Sequence, residues 1–171
     1  MRTLIILMLA MLLATPVRAD PSKLAVFDFE LIDNSAEGGV PQAQLDAQAE
    51  RLILIGDLLR RELTESGKYQ LMDITPVNAA AHRRNLQGCG GCDVDYAKQI
   101  GADLSLTGVV NKVSNLILNI TIYLHDVSTG QLVAVMNTDL RGNTDESWTR
   151  AVRYLIRNRL LQPNYGAPHL R

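Results

Sequence analysis

Between Leu116 and His125 the chain alternates without a break, with Leu116, Leu118, Ile120, Ile122 and Leu124 set against Ile117, Asn119, Thr121, Tyr123 and His125. A period of two puts the first set on one face of a pleated strand and the second on the other. A helix would scatter both sets around its axis, so this segment commits the chain to a sheet with one apolar and one mostly polar face. Asp126 to Gly130 is turn-forming and Leu132 to Leu140 resumes an extended pattern, which predicts an antiparallel hairpin.

Upstream, strand and helix patterns take turns. Leu24 to Ile32 starts as a continuous apolar run and then sets Phe27, Phe29 and Leu31 against Asp28 and Glu30, which predicts a strand buried early and more exposed late. Asn34 to Val40 reads as a loop. From Gln44 onward Leu52, Ile55, Leu59 and Leu63 recur at helical spacing, and Gly67 is placed to cap the C-terminus. Tyr69 to Asp73 predicts a short strand, Thr75-Pro76 an N-cap and first-turn proline, and Asp93 a cap for a brief helix ended by Gly101. Leu104 to Val113 is a further strand. Asn143 and Glu146 have the spacing of a capping box ahead of Trp148, Val152, Leu155 and Leu160, the apolar side of a last helix. The order predicts one α/β (α+β) domain whose mixed sheet is parallel at first and an antiparallel meander later, packed by helices.

Arg2, the apolar run Leu4 to Leu13 and Val17-Arg18-Ala19 have the form of a cleaved secretory signal peptide over residues 1–19. The run is too short to span a bilayer, which takes about 20 residues. The expectation is a periplasmic protein, secreted through that signal and not membrane-inserted after cleavage, with residues 20–162 as a single domain. Pro163, Gly166 and Pro168 suggest a flexible tail over 163–171. No cysteine stands at the cleavage site to accept a lipid. Without Arg2 and Arg18 the chain has 15 basic against 18 acidic residues, a net charge of −3 that gives no general attraction to nucleic acid.

Both cysteines lie in Cys89-Gly90-Gly91-Cys92, and three chemistries are open to them. A disulfide between Cys89 and Cys92 is sterically feasible because the glycines turn freely, and it would contribute roughly 2 kcal/mol as a local staple. Thiol-disulfide exchange needs an activated thiolate. Here Asp93 and Asp95 oppose activation, although His82, Arg83 and Arg84 could offset them. A metal could draw on Cys89, Cys92, His82 and Asp93 or Asp95, but the second tight ligand pair of a structural zinc site is missing. No serine sits in a nucleophile elbow, and Gly38-Gly39 is no phosphate loop. Asp28 and Glu30 share a strand face and read as solvated, as does His125. Two groups are candidates for partner binding: Arg150, Arg153 and Arg157 along the last helix, and the polar strand face of Asn119, Thr121 and Tyr123.

Leu24-Ala25-Val26-Phe27-Asp28-Phe29, Gly67-Lys68-Tyr69 before a short strand, Gly101-Ala102-Asp103 before a strand with Gly108, and Asp126 with Thr129-Gly130 between strands resemble the N-terminal domain of TolB and the periplasmic domain of CsgG. The cysteine tetrapeptide and Arg141 to Trp148 resemble an uncharacterised family of small secreted proteins, some found in bacteria that oxidise alcohols with quinoprotein dehydrogenases. The resemblance implies a TolB-N/CsgG-like fold and a non-catalytic accessory or interaction module without cofactor or metal. It would bind another periplasmic or envelope protein and serve a quinoprotein alcohol-oxidation or envelope system. The alternative is a thiol-disulfide oxidoreductase using Cys89 and Cys92.

Overall fold

The computed structural model describes residues 20–35, 41–163 and 165. The expected signal peptide and most of the expected tail lie outside the described residues. The elements are β1 (Ser22–Asp33), α1 (Gln42–Ser66), β2 (Tyr69–Leu71), α2 (Thr75–Ala81), α3 (Cys92–Gln99), β3 (Leu104–Lys112), β4 (Ile117–Asp126), β5 (Leu132–Arg141) and α4 (Asp145–Leu155), which runs on into a π-helical turn at Ile156–Leu160. No helix among the described residues is long and apolar enough to cross a membrane.

Strand order is β2-β1-β3-β4-β5. β1 pairs parallel with β2 and β3, and β3, β4 and β5 form an antiparallel meander. The mixed sheet expected from the element order is therefore present, with β5 as a ten-residue edge strand. One face packs against α1 and α4. Ile55, Leu59 and Leu63 of α1 and Trp148, Val152 and Leu155 of α4 are fully buried there against Leu24, Leu106, Ile120 and Ile122. The other face packs against α2 and α3 through a smaller cluster that includes Ala25, Phe27, Val77, Ala81 and Ala97.

Several local expectations change. Register shifts between Val26 and Phe29, so β1 carries a bulge. An extra residue in one strand reverses which side chains face which layer. Phe27 thus packs under α2 and α3 while Phe29 joins the α1 and α4 side, instead of both sharing one face. Phe29 lies opposite Gly108, where a Cβ would collide with the phenyl ring, so the close approach requires glycine. The capping box of α4 is built by Thr144 and Ser147, not by Asn143 and Glu146. Asn143 Oδ1 instead accepts from Trp148 Nε1 at 3.0 Å. The cap residue of α3 is Gly91, and Asp93 lies inside the first turn. Ile74 occupies the cap of α2, with Asp73 Oδ1 accepting from the Thr75 amide at 2.9 Å. Gly67 does cap α1 in the left-handed conformation, φ 62°.

Candidate functional site

The two ends of the second sheet face differ. α3 packs over β3 and β1, but among the described residues no helix lies over the β4–β5 cross-strand pairs Tyr123–Val135, Thr121–Asn137, Asn119–Asp139 and Ile117–Arg141. At the boundary between covered and bare sheet lies a groove of about 350 Å³. Gln87, Gly90 and Gly91 form one wall, and Tyr123, His125 and Leu132 contribute the other.

Cys89 and Cys92, which flank the groove-lining Gly90 and Gly91, stand at disulfide distance, with Cα atoms 5.8 Å apart. Gly90 and Gly91 take φ of 68° and 108°, which only glycine adopts without strain, so the tetrapeptide can turn tightly into α3. Cys92 is the first residue of that helix.

Asp93 points inward from the first turn of α3 and is 2% exposed. Its Oδ2 accepts from Ser105 Oγ at 2.7 Å and stands 2.9 Å from His125 Nδ1. Ser105 and His125 face each other across β3 and β4, so the sheet itself sets this geometry. An ionised carboxylate only accepts, so Nδ1 donates to it, and in the neutral form of the ring the remaining nitrogen, Nε2, is the one with the lone pair. Nε2 has no hydrogen-bond partner among the described residues. Thus His125, expected to be an ordinary surface residue, is a carboxylate-held imidazole beside a groove. Its position on the face that carries Tyr123 was legible from the alternation. The link to Asp93, 32 residues away, was not.

The residues anticipated for partner binding do not form one site. Tyr123 lines the groove, while Asn119 donates to Asp139 at 2.9 Å and Thr121, largely buried, donates to Asn119 at 2.8 Å. The arginines lie across the sheet on α4. Arg153 and Arg157 both reach Glu62 of α1, at 3.2 and 3.3 Å, and Arg150 pairs with Glu146 one turn away. Arg153 and Arg157 are thus engaged across helices, and Arg150 within its own helix.

Asp28 and Glu30 are engaged too and do not form a solvated face. Asp28 pairs with Arg60 and, at 2.8 Å, with His82 Nε2, and Glu30 Oε1 accepts from the Leu86 amide at 2.7 Å. These contacts fasten the loop before the cysteines to the free edge of β1. They also tie His82 to Asp28. Among the described residues no group of three or more His, Cys, Asp or Glu is arranged to hold a metal ion.

The chain is similar to several solved structures. The LpoB C-terminal domain from Salmonella enterica is 17% identical, with a TM-score of 0.50 over 77% of this chain and 91% of that one. The LpoB C-terminal domain from Escherichia coli is 18% identical, with a TM-score of 0.49 over 78% and 92%. Lipoprotein GNA1162 from Neisseria meningitidis is 14% identical, with a TM-score of 0.48 over 82% and 99%. At such identities the first likeness shows a common fold. No curated protein matches the sequence. Residues 22–160 match the family DUF3280, described as "Protein of unknown function (DUF2380)", and the chain belongs to that family.

Proposed function

We propose that the chain is a periplasmic accessory module, exported by residues 1–19 and without catalysis as its main task, that binds another envelope protein through the bare half of its sheet. The observation that carries this reading is the apolar exposure of β5. Leu132, Val133 and Val135 are 49%, 40% and 46% exposed on an edge strand that pairs with no further strand among the described residues. Exposed apolar residues on a long unpaired edge favour strand addition or face docking by a partner. Tyr123 and Asn119 flank them on β4 and would supply an aromatic anchor and polar contacts. A resident of an oxidising compartment also suits Cys89 and Cys92 at disulfide distance. The kinship with the TolB N-terminal and CsgG domains, and service to a quinoprotein system, belong to this same reading.

The test is co-purification from the native periplasm with the wild-type chain and with Val133→Lys/Val135→Lys. A specific partner retained by the wild type and lost by the variant, both folded by circular dichroism, is the expected result. Equal recovery with both proteins, or none above background with either, would remove the β5 surface from consideration.

A further inference from the structure

Asp93 and Asp95 both follow the cysteines and oppose a thiolate there, and the nearer carboxylate in sequence is that of Asp93. The structure turns that carboxylate away, under α3, onto Ser105 and His125. What shares the groove with Gly90 and Gly91 of the Cys89–Cys92 ring is the imidazole that Asp93 orients. We propose that Cys89–Cys92 is a thiol-disulfide exchange centre for a cysteine-bearing protein, with His125 as proton acceptor and Asp93 as the residue that positions it. This activity does not depend on the β5 docking surface.

Several features suited to exchange lie around this groove. Asp93 holds Nδ1 at 2.9 Å and leaves Nε2 without a partner among the described residues, which is the tautomer a general base requires. Tyr123 and Leu132 supply an apolar surface against which residues flanking a partner cysteine can rest. Cys92 opens α3, and no side chain caps the first-turn amides of that helix. A thiolate at this position is favoured by the amides and the helix dipole, so Cys92 is the better leaving group and Cys89 the sulfur attacked.

The partner S–H gives its proton to His125 Nε2 as its sulfur attacks Cys89 Sγ. The Cys89–Cys92 bond breaks, its electron pair leaves on Cys92 Sγ, and that thiolate takes the proton from Nε2. A second thiol of the partner then attacks the mixed disulfide and frees Cys89 as a thiol. Two electrons and two protons pass from the partner dithiol, which becomes a disulfide, to the protein disulfide, which becomes a dithiol.

The test mixes the oxidised protein with a synthetic peptide carrying one cysteine, quenches with acid and follows the mixed disulfide by mass spectrometry between pH 5 and pH 9. The wild-type second-order rate constant near neutral pH should exceed that of His125→Phe by about tenfold or more. Its pH profile should differ in shape from that of the variant, which should follow the peptide's own thiol ionisation. Asp93→Asn should keep the disulfide yet shift the profile towards that of His125→Phe, and the peptide should be found on Cys89. Equal rate constants and parallel profiles for the wild type and His125→Phe would overturn the proposal. So would a disulfide that does not exchange. Should His125→Phe fail to fold, His125→Gln makes the same comparison. No envelope partner is required, so failure here and failure of the docking reading are separate results.

Discussion

The two faces of the one sheet are built for different purposes. On the side of α1 and α4 nearly every inward residue is aliphatic or aromatic, from Leu24 at one end to Leu140 at the other. On the side of α2 and α3 the strands present Ser105, Thr107, Thr121 and His125, and the apolar cluster is smaller. Burial of apolar surface is the main stabilising term, so the first face holds the domain together. The second face has apolar cover over only part of its area, and there the polar network of Asp93, Ser105 and His125 leads to a groove. The fold concentrates its apolar burial on one side of a single layer and leaves the other side partly bare.

A core substitution tests that division most strongly. Trp148 is fully buried and donates to Asn143. Trp148→Ala should cost about 3–5 kcal/mol through the cavity and the lost transfer energy. On the bare face, Val135→Ala should stay within about 0.5 kcal/mol. Urea unfolding measures both, and the comparison stands if the slope is unchanged while only the first midpoint moves. A cost at Val135 rivalling that at Trp148 would mean the bare face is covered in the folded protein.

Which parts were legible in the sequence follows from the range of the interactions. The alternation of Leu118, Ile120 and Ile122 is a local rule, and it correctly placed β4 and its inward face. Leu59 and Leu63 did the same for α1. Phe27 and Phe29 were assigned to one side because a period of two assumes an unbroken pleat, and the bulge opposite β3 breaks it. Thr144 won the capping position from Asn143 because the Asn143 amide oxygen is taken by the indole of Trp148, a contact that exists only once α4 is formed. Asp93 was assigned to a helix cap for the same reason. Its true partners are 12 and 32 residues away, and pairing of β3 with β4 decides where they stand. The groove is thus the least local feature of the molecule.

Two buried polar side chains on the well-packed side depart from the pattern: Lys112, which pairs with Asp33 at 2.9 Å, and Gln48. Gln48 of α1 is 1% exposed, and neither its Oε1 nor its Nε2 has a hydrogen-bond partner among the described residues. A buried amide left unpaired costs about 1–3 kcal/mol. Gln48→Met keeps the length of the side chain and removes both polar atoms. It should raise stability by about 1–2 kcal/mol, read as a later urea midpoint. A lower midpoint would show that the amide is engaged in the folded protein and that this face, too, carries polar function.

The smallest effect is expected in the β4–β5 turn beside the groove. Asp126 Oδ1 accepts from Ser128 Oγ at 2.6 Å, the Thr129 amide at 2.8 Å and Thr129 Oγ1 at 3.0 Å. The Ser128 hydroxyl and then the Thr129 amide hold this carboxyl below its ordinary value of 3.8, against a smaller opposing push from burial. A carboxyl whose folded value is depressed stabilises the fold above its unfolded value, and that contribution disappears as pH falls through the folded value. The wild type should therefore lead Asp126→Asn in melting temperature at pH 6 and lose the lead steadily below pH 3.8. Solvent screening at this part-exposed turn keeps the difference at or below about 1 kcal/mol. Taking wild type minus variant cancels the other acids that titrate over the same range. A difference that stays constant from pH 6 down to acid unfolding would mean the turn is held by Gly130 and the hairpin register, with the Asp126 carboxylate contributing nothing. In that case the hydrogen bonds around Asp126 would merely decorate the bare side of the sheet, whereas Asp93 on the covered side is fixed by burial.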